Sequence, residues 1–409
     1  MYIKRKIEQK LLDLSASFPV VIVTGARQVG KTTLLKQLSG TGRAFVSLDV
    51  PEKRIMAIEE PTSFLEKHKP PVIIDEFQYA PNLLPYIKAY VDEHKNYGDF
   101  WMTGSQNFVT MKNVSESLAG RAGILNLFSL SNSEVDGTLF DEYTTDFDEL
   151  ILRQKVASPM NKSEVFAKIV KGGMPHTYEG LPATLHDYFD AYFQTYLTRD
   201  IRDLSQVADE LSFYRFMQVC SSLTTEQMDY TNIAKRVGIT ANKAKEWVSL
   251  LVSSGIIILL PPYFNNALKR VVKTPKMYFM DTGLLCYLRG IDEPSALEKN
   301  VDSGDFFENY VISEVYKSFA NVGKRPPLYY YRDANNRKEI DLIIERNGVI
   351  YPVEIKESSN PDKKAVKNFD AITPAVNEKI KIGTGNVLCG GDDIYPLGDN
   401  IWAVPHWLI

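Results

Sequence analysis

At 409 residues the chain is too long for one ordinary hydrophobic core, so two to four domains are expected. Its 44% hydrophobic and 24% charged residues suit soluble domains with buried cores, and a net charge of −4 excludes a uniformly basic nucleic-acid coat but not a local basic patch. Cys220, Cys286 and Cys389 are far apart and form no metal-spaced cluster, the longest apolar run (Gly255 to Pro262) is too short to span a bilayer, and no apolar stretch behind the basic start makes a signal peptide, so a cytoplasmic protein without membrane contact is expected.

In chain order, residues 3–17 alternate charged and apolar groups at helical spacing and predict a lead-in helix. Val20 to Val23 then read as a buried strand, followed by Gly25-Ala26-Arg27-Gln28-Val29-Gly30-Lys31-Thr32-Thr33 and an amphipathic helix. The loop fits G-x-x-x-x-G-K-S/T without a mismatch. Glycines let its backbone N–H groups turn inward around a phosphate chain, and the helix that follows aims its positive end at the same phosphates. Lys31 is expected to reach the β- and γ-phosphates, and the Thr32 hydroxyl to ligate Mg2+. ATP and Mg2+ are therefore the expected ligands.

Arg43 to Asp49 predict a second strand stopped at Pro51, and residues 52–68 a helical connection broken at Pro61. Val72-Ile73-Ile74-Asp75-Glu76 is a short apolar strand ending in two carboxylates. Downstream of a phosphate loop, Asp75 is expected on the metal side and Glu76 as general base towards the attacking water. Phe100 to Gln106 predict a further strand. In a sheet with an inserted strand between the phosphate loop and the acidic strand, Ser105 and Gln106 become the polar sensor candidates beside the γ-phosphate. Arg121, just before another strand, is a candidate arginine finger in its own subunit or a neighbouring one.

The acidic stretch Asp141 to Asp148 predicts a linker, and residues 163–219 are mostly helical with a break at Gly172-Gly173-Met174-Pro175. Tyr188, Phe189, Tyr192, Phe193 and Tyr196 recur at three- and four-residue spacing and read as core packing rather than base stacking. Tyr230 to Gly255 read as helix, tight turn at Gly238, and a second helix N-capped by Thr240, followed by an apolar strand. The pattern is similar to a winged helix-turn-helix. Lys235, Arg236, Lys243, Lys245, Lys269, Arg270, Lys273 and Lys276 stand against Glu246 alone, a basic stripe suited to DNA phosphates. Asn242, Lys243 and Lys245 are the expected major-groove residues. A helical domain used for protein contacts is the alternative.

Gly304 to Tyr316 predict an amphipathic helix carrying Glu308 and Glu314. Asp341 and the pair Glu354 and Lys356 fall on adjacent strands of a hairpin, and period two puts Glu354 and Lys356 on one face. Two carboxylates can hold Mg2+ while the lysine orients water for attack on a phosphodiester. The order matches the PD-(D/E)XK nuclease pattern, with Glu308 as the helix acid and Glu314 as its rival. The five histidines (His68, His94, His176, His186, His406) form no ligand spacing.

The set Gly-Ala-Arg-Gln-Val-Gly-Lys-Thr-Thr, Ile-Asp-Glu-Phe-Gln, Met-Thr-Gly-Ser-Gln and Leu-Ala-Gly-Arg resembles a widespread prokaryotic family of AAA-type ATP-binding proteins. That resemblance implies a C-terminal domain similar to restriction endonucleases. The expected fold is α/β: a P-loop NTPase with a parallel sheet over 1–145, a helical linker region over 146–210, a winged helix-turn-helix over 211–275, and a PD-(D/E)XK-like domain over 276–409. The expected function is an ATPase coupling nucleotide state to DNA binding and cleavage. A nucleotide-dependent switch that binds protein partners, with an inactive nuclease-like domain, is the competing expectation. An arginine finger acting in trans would require a homo-oligomer.

Overall fold

The computed structural model describes residues 2–104, 114, 116–180, 183–197, 210–264, 273–333, 338–375 and 380–409. The chain divides into two compact units. The first comprises residues 1–130 with 253–255 and 320–323, and the second the remainder from 131 onward.

In the first unit five parallel strands form one sheet: β1 (Val20–Thr24), β2 (Ala44–Ser47), β3 (Val72–Asp75), β4 (Phe100–Gly104) and β5 (Ala122–Asn126), in the order β2-β3-β4-β1-β5. The sequence pattern follows from that order. Strands β1, β3 and β4 have neighbours on both sides and bury every residue, so they read as unbroken apolar runs. The edge strands β2 and β5 are only partly buried. β4 lies between β1 and β3, the inserted-strand arrangement expected for the sensor strand. Helix α1 (Glu8–Ser15) is shorter than the predicted lead-in, and α2 (Lys31–Leu38) follows the phosphate loop. Pro51 opens helix α3 (Pro51–Glu59) and Pro61 opens α4 (Pro61–Lys67), because proline's missing N–H costs nothing at a first helical turn. Phe64, Phe77, Phe100, Val46, Ile74 and Met102 pack in the core beneath the sheet. Each such side chain contributes about 1.5–3 kcal/mol on leaving water.

The second unit begins with helices, and its acidic entry segment is docked rather than free. Tyr143 is fully buried, its hydroxyl accepting from Asn386 Nδ2 at 2.8 Å, and Asp146 caps the helix Phe147–Gln154. Tyr188, Phe189, Tyr192 and Phe193 are buried, as the packing reading expects, while the Tyr196 side chain lies outside the described residues. The helices Tyr230–Val237 and Ala241–Ser253 are joined through Gly238, which is left-handed at φ 85°, and Thr240 Oγ1 accepts from Lys243 N at 3.2 Å. The antiparallel pair β6 (Ile257–Leu260) and β7 (Lys276–Phe279) follows.

A seven-stranded mixed sheet closes the unit: β8 (Leu328–Arg332), β9 (Glu339–Arg346), β10 (Val349–Lys356), β11 (Lys381–Ile382), β12 (Gly385–Cys389), β13 (Tyr395–Gly398) and β14 (Ile401–Pro405), with β8-β9-β10 antiparallel and β10-β12-β14 parallel. Asn347 and Gly348, at φ 51° and 75°, make the two-residue turn between β9 and β10. Asn-Gly favours that turn, and the turn sets the register. Val353 then faces Leu342, which brings Asp341 beside Glu354 one pair further on. The long helix Ser303–Ala320 carries eleven buried residues.

Candidate nucleotide site and a second acidic cluster

The first site forms where β1, β3, β4 and β2 end together. Gly25 and Gly30 hold φ of 144° and 96°, conformations that a side chain rarely permits. A Cβ at Gly25 would also meet the Leu127 carbonyl oxygen at 2.0 Å, so this glycine serves the packing of the loop on its own unit as well as its curvature. Gln28 is left-handed too, at φ 61°. Lys31 Nζ folds back onto the Gly25 and Ala26 carbonyls at 3.0 and 2.8 Å. Arg5, buried, donates to the Val29 carbonyl at 3.1 Å and the Phe128 carbonyl at 2.6 Å. It ties the loop to the strand-ending segment behind it.

Asp75 is the centre of the site. Its Oδ1 accepts from the Thr32 hydroxyl at 2.6 Å and from the Thr103 hydroxyl at 2.5 Å, and Ser47 Oγ reaches Oδ2 at 3.3 Å. Thr103 Oγ1 also accepts from Glu76 N at 3.2 Å. Glu76, immediately after β3, is itself left-handed at φ 57°, a strained conformation for a residue with a side chain. Gln78 Nε2 donates to Glu76 Oε2. The Thr32 hydroxyl and the Asp75 carboxylate are hard oxygen donors already converged, and they suit Mg2+.

Ser105 and Gln106, the sensor candidates, lie outside the described residues. Thr103, within β4, donates its hydroxyl to Asp75, a contact for which no residue was expected. Ser47, Gln78 and Arg5 were also missed. The available signal for Thr103 and Ser47 was a hydroxyl at the end of each strand flanking β3.

Arg121 departs from expectation within its own subunit. The register pairs Ala122 with Val20, at the start of β1, whereas the phosphate loop leaves β1 after Thr24. Parallel strands put Arg121 at the opposite end of the sheet, about 15 Å of strand away from the loop. Its guanidinium pairs there with both Asp92 oxygens, at 2.5 and 3.0 Å.

The second cluster lies in the other unit. Asp341 Oδ2 accepts from Ile355 N at 2.8 Å. Lys356 Nζ donates to Glu354 Oε1 at 2.7 Å and stands 3.8 Å from Asp341 Oδ2. Glu354 Oε2 is buried with no hydrogen-bond partner. Burial pushes the Glu354 carboxyl up to about 8, with the Asp341 charge adding to the shift. Burial likewise raises Glu308 to about 7, against the attraction of Lys276. The unsatisfied oxygen beside Asp341 suits one hard cation. Among the described residues no three acidic, histidine or cysteine side chains are grouped closely enough to hold an ion by themselves.

Glu308 and Glu314 separate cleanly. Glu308 accepts from the Tyr278 hydroxyl at 2.7 Å and pairs with Lys276 at 3.4 Å, on the side of the cluster. Glu314 turns elsewhere, accepting from Asn132 N at 2.7 Å and Lys317 Nζ at 3.0 Å. Lys276 is therefore a correction to the basic stripe: it is 4% exposed and bound in ion pairs. Lys269 and Arg270 lie outside the described residues. Lys235, Arg236 and Lys245 are exposed, and Lys243 pairs with Glu246 at 3.1 Å.

Residues 17–136 match the model of an AAA domain, residues 163–295 that of a domain of unknown function (DUF8612), and residues 303–409 that of another (DUF4143). The AAA match coincides with the parallel sheet and its phosphate loop, and the chain contains an AAA-type P-loop domain, a fold that implies nucleotide binding. Two uncharacterized proteins, Rv2008c of Mycobacterium tuberculosis and Mb2031c of Mycobacterium bovis, are each 28% identical over 95% of this chain and 80% of their own length. Among solved structures, the Walker-type ATPase PABY2304 of Pyrococcus abyssi is 14% identical, covering 70% of this chain and 96% of its own, with a TM-score of 0.44. A RuvB variant of Thermotoga maritima is 15% identical, covering 62% and 89%, with a TM-score of 0.30. No helix among the described residues is long and apolar enough to cross a membrane.

Proposed function

We propose that the protein is a Mg2+-dependent ATPase whose nucleotide state governs its engagement of DNA in the cytoplasm. The observation that carries the hydrolytic part is the convergence of Thr32 and Thr103 on Asp75, with Glu76 as its immediate neighbour. Lys31 exchanges two loop carbonyls for the charged β- and γ-phosphate oxygens, a stronger, charge-assisted pairing. Thr32 and Asp75 would hold the ion, which would supply positive charge against the phosphates. Glu76, once released by Gln78, takes the proton of the attacking water. Lys31→Ala is expected to abolish nucleotide binding, and Glu76→Gln to abolish turnover while keeping it. Unchanged turnover in both overturns the assignment. Arg121 serves, in this reading, a neighbouring copy in a homo-oligomer.

The DNA part is supported by Lys235, Arg236, Lys245 and Asn242, all but Asn242 cationic and all exposed on the two helices over 230–253. We read 211–275 as a winged helix-turn-helix and 276–409 as a restriction-endonuclease-like domain. Asp341 and Glu354 would hold a cation there, and Lys356 would orient water. Gel shifts and plasmid cleavage with and without ATP test this. Cleavage that persists in Asp341→Ala with Lys356→Ala removes the nuclease site. The burial of Lys276 and the pairing of Lys243 thin the basic surface and favour a second reading, a nucleotide-dependent switch that binds a protein partner. Absence of DNA binding at low salt with ATP would select it.

A further inference from the structure

The acidic cluster of the second unit holds a cation that the nuclease-like reading does not use. Lys276 enters from β7, and its Nζ lies 3.4 Å from Glu308 Oε1 and against Glu339 Oε1. The Tyr278 hydroxyl donates to the same Glu308 oxygen at 2.7 Å. The position is built, not incidental. Asn309, one residue beyond Glu308, accepts from Phe279 N at 2.8 Å and donates to the Phe279 carbonyl at 2.9 Å, and the Thr224 hydroxyl donates to Asn309 Oδ1 at 2.6 Å. These bonds fix β7 on the helix Ser303–Ala320 and leave the lysine one place to go. Arg332 reaches the other Glu339 oxygen at 3.3 Å. Lys356 stands on the far side, with Glu354 and Asp341.

Four carboxylates thus face three cations, and the shortfall lies on the Asp341 and Glu354 side, where Glu354 Oε2 has no partner and the residue is 6% exposed. An ammonium and a divalent ion compete for the same oxygens. A hard ion would draw carboxylate oxygens to about 2.1 Å, and a lysine ammonium at hydrogen-bond distance from the same oxygens would repel it, so occupancy of one disfavours the other.

We propose that Lys276 is a built-in counter-cation that occupies the Glu308–Glu339 position a second metal ion would take, so that the cluster accepts one divalent cation, on Asp341 and Glu354, and not a pair. The inference rests on the reading of Asp341 and Glu354 as cation ligands. It limits any chemistry at the cluster to one ion plus Lys356, and excludes a two-ion clamp on attacking and leaving oxygens.

The test counts Mn2+ on the full chain without nucleotide, by titration calorimetry and by paramagnetic resonance of free ion. An Asp75→Asn background removes the phosphate-loop ion. That background is expected to bind one Mn2+, and none once Glu354→Gln is added. Adding Lys276→Met is expected to give two, and millimolar Mn2+ should raise its melting temperature by more than it raises that of the background. Lys276→Arg keeps the charge and should keep one ion. A Lys276→Met chain that still binds one ion, or that does not fold even with Mn2+, overturns the counter-cation role. A background chain that binds two ions does the same. A background that binds none overturns Asp341 and Glu354 as ligands, and the stoichiometry with them.

Discussion

Thr103 braces the candidate nucleotide site through Asp75 and Glu76. Its hydroxyl donates to Asp75 and accepts from Glu76 N, and it is completely buried. Thr103→Val keeps the shape and removes both bonds. A hydrogen bond to a charged group is worth about 1.5–3 kcal/mol, and the Glu76 N–H loses its acceptor as well. A loss of about 2 kcal/mol from the first unit follows, or roughly 5–10 °C in its melting temperature. The effect on turnover comes from geometry. Asp75 loses one of the two hydroxyls that orient Oδ1, and Glu76 loses the anchor of its strained backbone. A fall in kcat of about 10- to 100-fold is expected, equivalent to about 1.4–2.7 kcal/mol of barrier. KM should change little, because Lys31 and the loop are untouched. Thr103→Ser retains the hydroxyl and should restore most of kcat. The assays are steady-state phosphate release and scanning calorimetry. Parent-like kcat in Thr103→Val, with an unchanged melting temperature, would refute the assignment.

Gln78→Ala frees the Glu76 carboxylate from its side-chain donor, and basal phosphate release should rise several-fold; a rate at or below the parent's removes the restraint. Arg121→Ala should leave nucleotide affinity of the isolated subunit unchanged, by fluorescent-nucleotide titration, since the residue sits at the other end of the sheet. Its turnover should fall only under conditions where the parent's rate rises with protein concentration. Replacing Lys235, Arg236 and Lys245 by Ala should weaken DNA binding on all sequences alike and flatten its salt dependence by about one unit for each phosphate no longer neutralised. His406 is fully enclosed, its Nδ1 proton shared with the Cys389 carbonyl at 3.1 Å, and burial, with Lys168 adding, lowers it to about 4 from 6.5. The unfolded chain then takes up the proton first. Stability should fall as pH drops from about 6.5 towards 4, by about 3 kcal/mol at most. His406→Gln should lack that loss in pH-dependent denaturant unfolding.

The legible parts of the sequence were those fixed by adjacent residues. The loop from Gly25 to Thr33 and the pair Asp75 and Glu76 each announce themselves within one strand and its turn. The Asn347-Gly348 turn fixed the register that brings Asp341 to Glu354. What escaped depended on strand order. Thr103 meets Asp75 only because β4 is inserted next to β3. Arg121 could have been excluded from its own subunit's site, since a residue preceding a parallel strand lies at the end opposite a loop that follows one. Lys276 was counted as surface because a charge in sequence carries no sign of its burial. Its neighbours Met277, Tyr278 and Phe279, all buried, were the available warning.

The two sites satisfy their carboxylates by different means, and the difference has a functional consequence. Around Asp75 the donors are hydroxyls from Thr32, Thr103 and Ser47, which fill lone pairs and supply no charge. On the proposed function, a cation arriving with a nucleotide would meet an electrostatic demand that these neutral donors leave unmet, so ion and triphosphate would favour each other's binding. Around Glu308 and Glu339 the donors include Lys276 and Arg332, which supply the charge themselves. Only Glu354 and Asp341 retain a shortfall there. Chelation should therefore abolish nucleotide turnover outright, while the second unit, whose carboxylate cluster is mostly balanced by Lys276, Arg332 and Lys356, should lose little of its stability.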